Sequence, residues 1–186
     1  MNIFVLDSDP KIAASYHCDK HVIKMIVETA QMLCTNQHYD EDGTRVKKFD
    51  RMLYKPSFVN HPCTVWARES EENYQWLCEL GLALCDEYEA RYGKIHKTKK
   101  LIQWCTDNPP ALPNDVGLTK FPSAMPDYCK ISDDPVENYK EFYRVEKSKF
   151  AKWNYSKVPS WYTDMSLLSE HQQVKKEINN IYGLQN

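Results

Sequence analysis

Apolar residues in this chain recur mainly at three- and four-residue spacing, the period of helices with one face buried. On a helical wheel drawn from Pro10 to about Asn36, Ile12, Val22, Ile23, Ile26, Ala30 and Leu33 share one side, and Asp9-Pro10 supplies a cap and a first-turn proline. The pattern predicts one long helix. A second long helix opens at His61-Pro62 and runs to Arg91-Tyr92, with Gly93 suited to the left-handed position that closes it. Its apolar stripe is Trp66, Leu77, Leu80, Leu84 and Tyr88. A short helix is predicted around Thr98 to Cys105, and Asp134-Pro135-Val136-Glu137 resembles a capping box that starts a helix through Trp153. A last amphipathic helix, about Asp164 to Tyr182, carries Leu167, Leu168, Val174, Ile178 and Ile181. That stripe either packs on its own chain or forms a homodimer contact.

The connecting segments are equally legible. Ile3 to Leu6 reads as a short buried strand or extended arm, and Gln37 to Asn60 as a polar loop with at most a short helix. From Asn108 to Pro126, Pro109, Pro110, Pro113, Pro122 and Pro126 forbid a helix and imply an ordered surface loop. The expectation is an all-α, single domain spanning 1–186, with about five helices, a short N-terminal extended arm and a long Pro-rich loop.

Composition narrows the function. A chain of 186 residues with 42% hydrophobic content can bury one core without staples. Only five glycines are present and none forms a phosphate-cradling loop. The seven cysteines are odd in number, scattered, and never spaced Cys-x-x-Cys, so neither disulfides nor structural zinc is signalled and no cofactor is called for. No basic leader and no apolar run of about 20 residues appears. These features give the expectation of a cytoplasmic chain with no membrane partner. The formal net charge of -2 argues against a general polyanion binder, so local charge must carry any nucleic-acid contact. Arg91, Lys94, His96, Lys97, Lys99 and Lys100 form a run without an acid, either a solvated helix end or a phosphate-binding patch.

The chemistry concentrates on the first predicted helix. His17, Lys20, His21, Lys24, Glu28 and Gln31 fall within an arc of about 100° opposite the apolar side. Imidazoles suit general acid–base work near neutral pH, while a solvated face with a Lys24–Glu28 pair is the plainer reading. Two histidines at i,i+4 suggest metal, but the adjacent Lys20 and Lys24 would repel a cation and no third ligand accompanies them. Asp19 points into the apolar side, so it needs a partner: loop backbone, an indole, or a catalytic group that it orients. On the second helix Ser70 and Asn73 lie on the apolar stripe, where they either hydrogen-bond within the core or line a substrate pocket with Trp66 as a stacking wall and His61 at its mouth. Aromatic and cationic residues interleave from Tyr139 to Tyr162, a texture suited to a flipped base, with Trp161-Tyr162 after Pro159 the better exposed candidate.

These residues resemble a known family. The N-terminal arm, Asp19-Lys20-His21-Val22 through Gln31-Met32-Leu33, Glu72-Asn73-Tyr74-Gln75-Trp76-Leu77 through Arg91, and Pro159-Ser160-Trp161-Tyr162 together resemble the phage pyrimidine-dimer DNA glycosylases of the endonuclease V type. The resemblance implies an all-α enzyme that flips a nucleotide out of DNA, attacks the sugar C1′ with an amine, and uses a glutamate matching Glu28. In that family the amine is N-terminal, on a small residue freed of Met, whereas here Met1 precedes Asn2. A lysine, Lys20 or Lys24, could replace it through a Schiff base; alternatively Glu28 or a histidine activates water. The expected function is a DNA base N-glycosylase acting on a damaged or modified pyrimidine. Two other readings stay open: an enzyme that transforms a free nucleotide, and a non-catalytic nucleotide-sequestering protein.

Overall fold

Asp9 caps the first helix, accepting from the Lys11 and Ile12 amides, and Pro10 occupies its first turn. In the computed structural model, which describes residues 1–40, 42–46 and 52–162, this helix, α1, covers only Pro10–Tyr16. It is followed by α2 (Asp19–Asn36), α3 (Pro62–Trp66), α4 (Glu71–Tyr92), α5 (Lys99–Asp107) and α6 (Pro135–Phe142). Among the described residues there is no strand, and the class is all-α. No helix there is long and apolar enough to cross a membrane. The predicted last helix, with the homodimer contact placed on it, lies outside the described residues.

Each of the two long predicted helices is split. The first breaks at His17 and Cys18, whose backbones are extended. Nothing local forces this, since neither glycine nor proline is present. Tertiary donors take the carbonyls that a continuous helix would use: Arg91 donates to Ser15 and His17, and the Trp153 indole donates to Tyr16. The Asp19 amide in turn donates to the Lys152 carbonyl. The orphan groups of both helix ends are thus satisfied from elsewhere in the chain. The second helix breaks between Trp66 and Glu71, where Ser70 becomes the cap of α4 and accepts from the Asn73 amide. Gly93 closes α4 with φ 64°, as expected.

The third prediction was too long. Asp134 caps α6 through the Val136 amide, but Glu137 pairs with Lys140, so the reciprocal half of a capping box is not formed. α6 ends at Phe142 and the chain continues as a π turn, Tyr143–Lys147. The Pro-rich segment has no helix and is ordered, with Leu112 buried and Phe121 packed on Trp66 and Trp76.

The core gathers α1, α2 and α5 around α4. At Gly81, the place where α4 meets Thr29 of α2 and Ile102 of α5, an added Cβ would lie 2.8 Å from the Thr29 methyl. Glycine there permits the close crossing. The arm runs through this core: Ile3, Val5 and Leu6 are fully buried, each contributing about 1.5–3 kcal/mol of hydrophobic stabilisation. Burial of the arm delivers the start of the chain to the side of α2.

Candidate active site at Glu28

On α2, Lys20, Ile23, Lys24, Val27, Glu28 and Gln31 form the exposed or half-exposed stripe. Glu28 stands where this stripe meets the arm. Its Oε1 is 3.1 Å from the Lys24 ammonium, and its Oε2 lies 3.7 Å from the Met1 amine and accepts from the Asn2 amide at 3.0 Å. Two amines therefore share one carboxylate.

The Met1 amine is held there by its own side chain and by its neighbour. The Met1 side chain is 1% exposed and its sulfur accepts from the Thr64 hydroxyl. The Asn2 side chain donates to the Ala124 carbonyl and accepts from the Ile3 and Phe4 amides. Lys24, by contrast, has a side chain 64% exposed and, among the described residues, is tethered by its i,i+4 pair with Glu28. Charge-assisted contacts of this kind order the carboxylate between its donors.

His61 completes the cluster. It caps α3 by accepting the Cys63 amide on Nδ1. In the neutral ring the proton then sits on Nε2. Burial first, and then the positive Met1 amine, lower its pKa, while the Glu28 carboxylate raises it. His61 thus lies within the electrostatic reach of both groups. Arm, α2, α3 and Pro-rich loop all converge on this point, and no cluster of three or more metal-ligating side chains occurs among the described residues.

The structure separates the other predicted residues. His17 and His21 are both buried, unlike Lys20, Lys24 and Glu28. The break displaces His17 from the wheel, and Phe4 of the arm covers His21 at a ring separation of 4.4 Å. His17 Nδ1 donates to the Ala13 carbonyl, and His21 is hydrogen-bonded to the Tyr143 hydroxyl. Desolvation lowers their pKa values to about 4 and about 2, so both are neutral near pH 7. Neither is placed to exchange protons with a substrate at Glu28. Ile12 and Ile23, expected inside, are 41% and 44% exposed: the break moves Ile12 onto a separate helix, and Ile23 sits at the edge of the α2 apolar face, on the exposed stripe with Lys20 and Val27.

Asp19 has the partners its burial requires, accepting from Arg91 at 3.2 Å and from the Asn154 amide at 2.7 Å. This removes Arg91 from the cationic run. Its side chain is 1% exposed, bonded to Asp19, Glu87 and two carbonyls. His96 stacks edge-on to Tyr88 and accepts the Thr98 amide, while Lys99 is paired with Asp86 and Glu89. Lys94, Lys97 and Lys100 remain as exposed cations.

The predicted pocket on the second helix is instead core. Trp66 is buried against Trp76 and Phe121, Ser70 is a cap, and Asn73 donates to the Trp66 carbonyl and Thr119 hydroxyl while accepting the Thr119 amide. Trp161, in a 3-10 turn Ser160–Tyr162, is half-buried among Tyr16, Tyr143 and Tyr162, with Arg144 over its ring. Gln31 stays on the exposed stripe beside Glu28. Sequence reading missed Asn2 and Ala124, whose roles arise from a contact 122 positions apart and leave no local signal.

No curated protein and no solved structure matches the chain significantly. The family model described as pyrimidine dimer DNA glycosylase matches residues 1–101, a span that holds the arm, Glu28, His61 and the Lys94–Lys100 segment but not Trp161. Matching more than half of the 186 residues, and with the Glu28 cluster inside the matched span, the chain belongs to the pyrimidine dimer DNA glycosylase family.

Proposed function

We propose that the protein excises a damaged pyrimidine from DNA at Glu28, using an amine held against that carboxylate as the nucleophile. The observation that carries this reading is the pair of amines, Met1 N at 3.7 Å and Lys24 Nζ at 3.1 Å, on the two oxygens of Glu28. The Met1 amine is the better-positioned attacker because its side chain is buried and fixed, so less freedom is lost on reaching a near-attack geometry. Removal of Met1 would leave the Asn2 nitrogen, 3.0 Å from the same oxygen, in its place.

In the step proposed, the amine lone pair forms a bond to C1′ of the extruded nucleotide. The C1′–N1 bond breaks, its electron pair goes to N1, and N1 takes a proton from water, the pyrimidine staying joined to its dimer partner. Glu28 accepts the proton lost by the attacking nitrogen and stabilises the cationic sugar. The C1′–O4′ bond then opens, its electron pair going to O4′, which takes back the proton held by Glu28; the protonated imine that results allows strand cleavage by β-elimination. His61, through its Nε2–H, donates to the base or sugar, and Lys94, Lys97 and Lys100 supply phosphate contacts.

The test is borohydride trapping on a duplex oligonucleotide bearing one thymine dimer, followed by mass mapping of the adduct. An adduct on the N-terminal peptide supports the reading; one that maps to Lys24 transfers the attack to that lysine. Glycosyl-bond cleavage is scored as free thymine after photoreversal of the dimer or as a strand break, and Glu28→Gln is expected to lower it at least 100-fold. Cleavage without any adduct would replace the amine by activated water. No cleavage, with turnover of free nucleotides instead, would refute the glycosylase reading.

A further inference from the structure

The exposed stripe of α2 that leads to Glu28 carries Lys20, Ile23, Lys24 and Val27. Lys24 is bound to Glu28 itself. Lys20 lies eight residues from Glu28, about 12 Å along the helix axis, with its ammonium 5.3 Å from the centre of the Phe150 ring. Ile23, between the two lysines, is apolar yet 44% exposed.

A third cation flanks this stripe. Lys147, at the end of the π turn after α6, has its ammonium 4.1 Å from the centre of the Phe142 ring and 5.8 Å from that of Phe4. The Phe4 ring covers His21, the residue beside Lys20, and two positions earlier on the same arm the Asn2 amide donates to Glu28. Phe150, under Lys20, packs on His21 as well, at 5.4 Å. Lys20 and Lys147 are thus seated on one aromatic cluster, next to the arm that reaches Glu28. A ring face attracts an ammonium group without carrying a net charge, so it orients the cation and does not neutralise it. Of the acids close by in sequence, Asp19 is bound by Arg91 and Glu146 accepts from the Tyr128 hydroxyl. At the start of α2 the Tyr92 hydroxyl donates to the Asp19 carbonyl at 3.2 Å, which brings the end of α4, and the Lys94–Lys100 segment that follows it, to that end of the stripe.

We infer that one DNA backbone lies along the exposed face of α2, running from Glu28 toward the start of the helix, with its phosphates on Lys20 and Lys147 and the Ile23 side chain against its sugars. DNA as the partner rests on the glycosylase reading above. Oriented ammonium groups meet phosphates and fix the register of the duplex. With one phosphate per about 3.4 Å of strand, the 12 Å or so between Glu28 and Lys20 spans about three to four nucleotides. Lys147 lies beyond residues 1–101, the span matched by the family, so the track joins the second part of the chain to DNA binding.

The experiment measures duplex affinity against salt for wild type, Lys20→Gln, Lys147→Gln and Lys147→Arg; Lys24 is left unchanged because it binds Glu28. The probe is a thymine-dimer duplex in which single phosphates flanking the lesion are replaced, one at a time, by neutral methylphosphonates. Each Gln variant should make the plot of log affinity against log salt shallower by about 0.9, while Lys147→Arg should match wild type. Wild type should be weakened by neutral phosphates within about four nucleotides on one side of the dimer, and the Gln variants should be indifferent to those same replacements. A Gln variant with the wild-type slope, or with full sensitivity at every phosphate, would overturn the track; if such a protein still cleaves the glycosyl bond, the glycosylase reading stands. Wild type that shows this pattern but cleaves no glycosyl bond would keep the track and sink the glycosylase reading alone.

Discussion

Replacing Arg91 by Met tests whether this residue is a core tie or a DNA contact. Arg91 makes five hydrogen bonds from a nearly sealed position: two to Glu87, one to Asp19, and one each to the carbonyls of Ser15 and His17. Methionine keeps much of the volume but leaves two carbonyls without a donor, and the buried Asp19 carboxylate with only the Asn154 amide. Breaking a buried ion pair from one side costs about 3–5 kcal/mol, a large part of the roughly 5–15 kcal/mol that holds a domain folded. For a chain of this size each kcal/mol moves Tm by about 2–4 °C. The expected fall is therefore roughly 6–20 °C, read by circular dichroism and by the urea midpoint. Asp19→Asn combined with Arg91→Met removes the stranded charge and should recover part of the loss. DNA affinity, measured where both proteins are folded, should keep its salt dependence. A melt within about 2 °C of wild type, together with a salt slope shallower by about one unit, would refute the argument and return Arg91 to the phosphate-binding run.

Two further outcomes follow from the burial of charge and its exposure. His17 and His21 have folded pKa values lowered to about 4 and about 2, so below the ordinary histidine value near 6.5 the unfolded chain binds protons that the native state does not. Stability should fall as pH drops from about 6.5 toward 4, by up to about 1.4 kcal/mol per pH unit for each histidine; a His21→Phe variant should flatten that slope in urea titrations at pH 7, 6 and 5, and an identical slope would contradict the burial. Among the cations, Glu substitution at Lys94, Lys97 or Lys100 should each make the log affinity versus log salt plot for duplex DNA shallower by about 0.9. Lys99, tied to Asp86 at 2.8 Å, should change it less, and a slope unmoved by all three would place the DNA elsewhere.

The sequence by itself determined the helical class, the caps at Asp9, Asp134 and Gly93, and the Pro-rich loop, because each is set by periodicity or by residues a few positions apart; the interest in Glu28 came from the family resemblance. It also required a partner for Asp19 without naming it. Tertiary structure decided the rest. Arg91 and Trp153 take carbonyls from Ser15 to His17 and split a helix that no local residue interrupts. The same break, with Phe4 laid over His21, converts two apparent acid–base groups into buried neutral rings. Only the arm's passage through the core sets the Met1 amine against Glu28. A helical wheel records which residues share a face, but which faces are covered depends on desolvation and hydrogen bonding by segments far away in the chain.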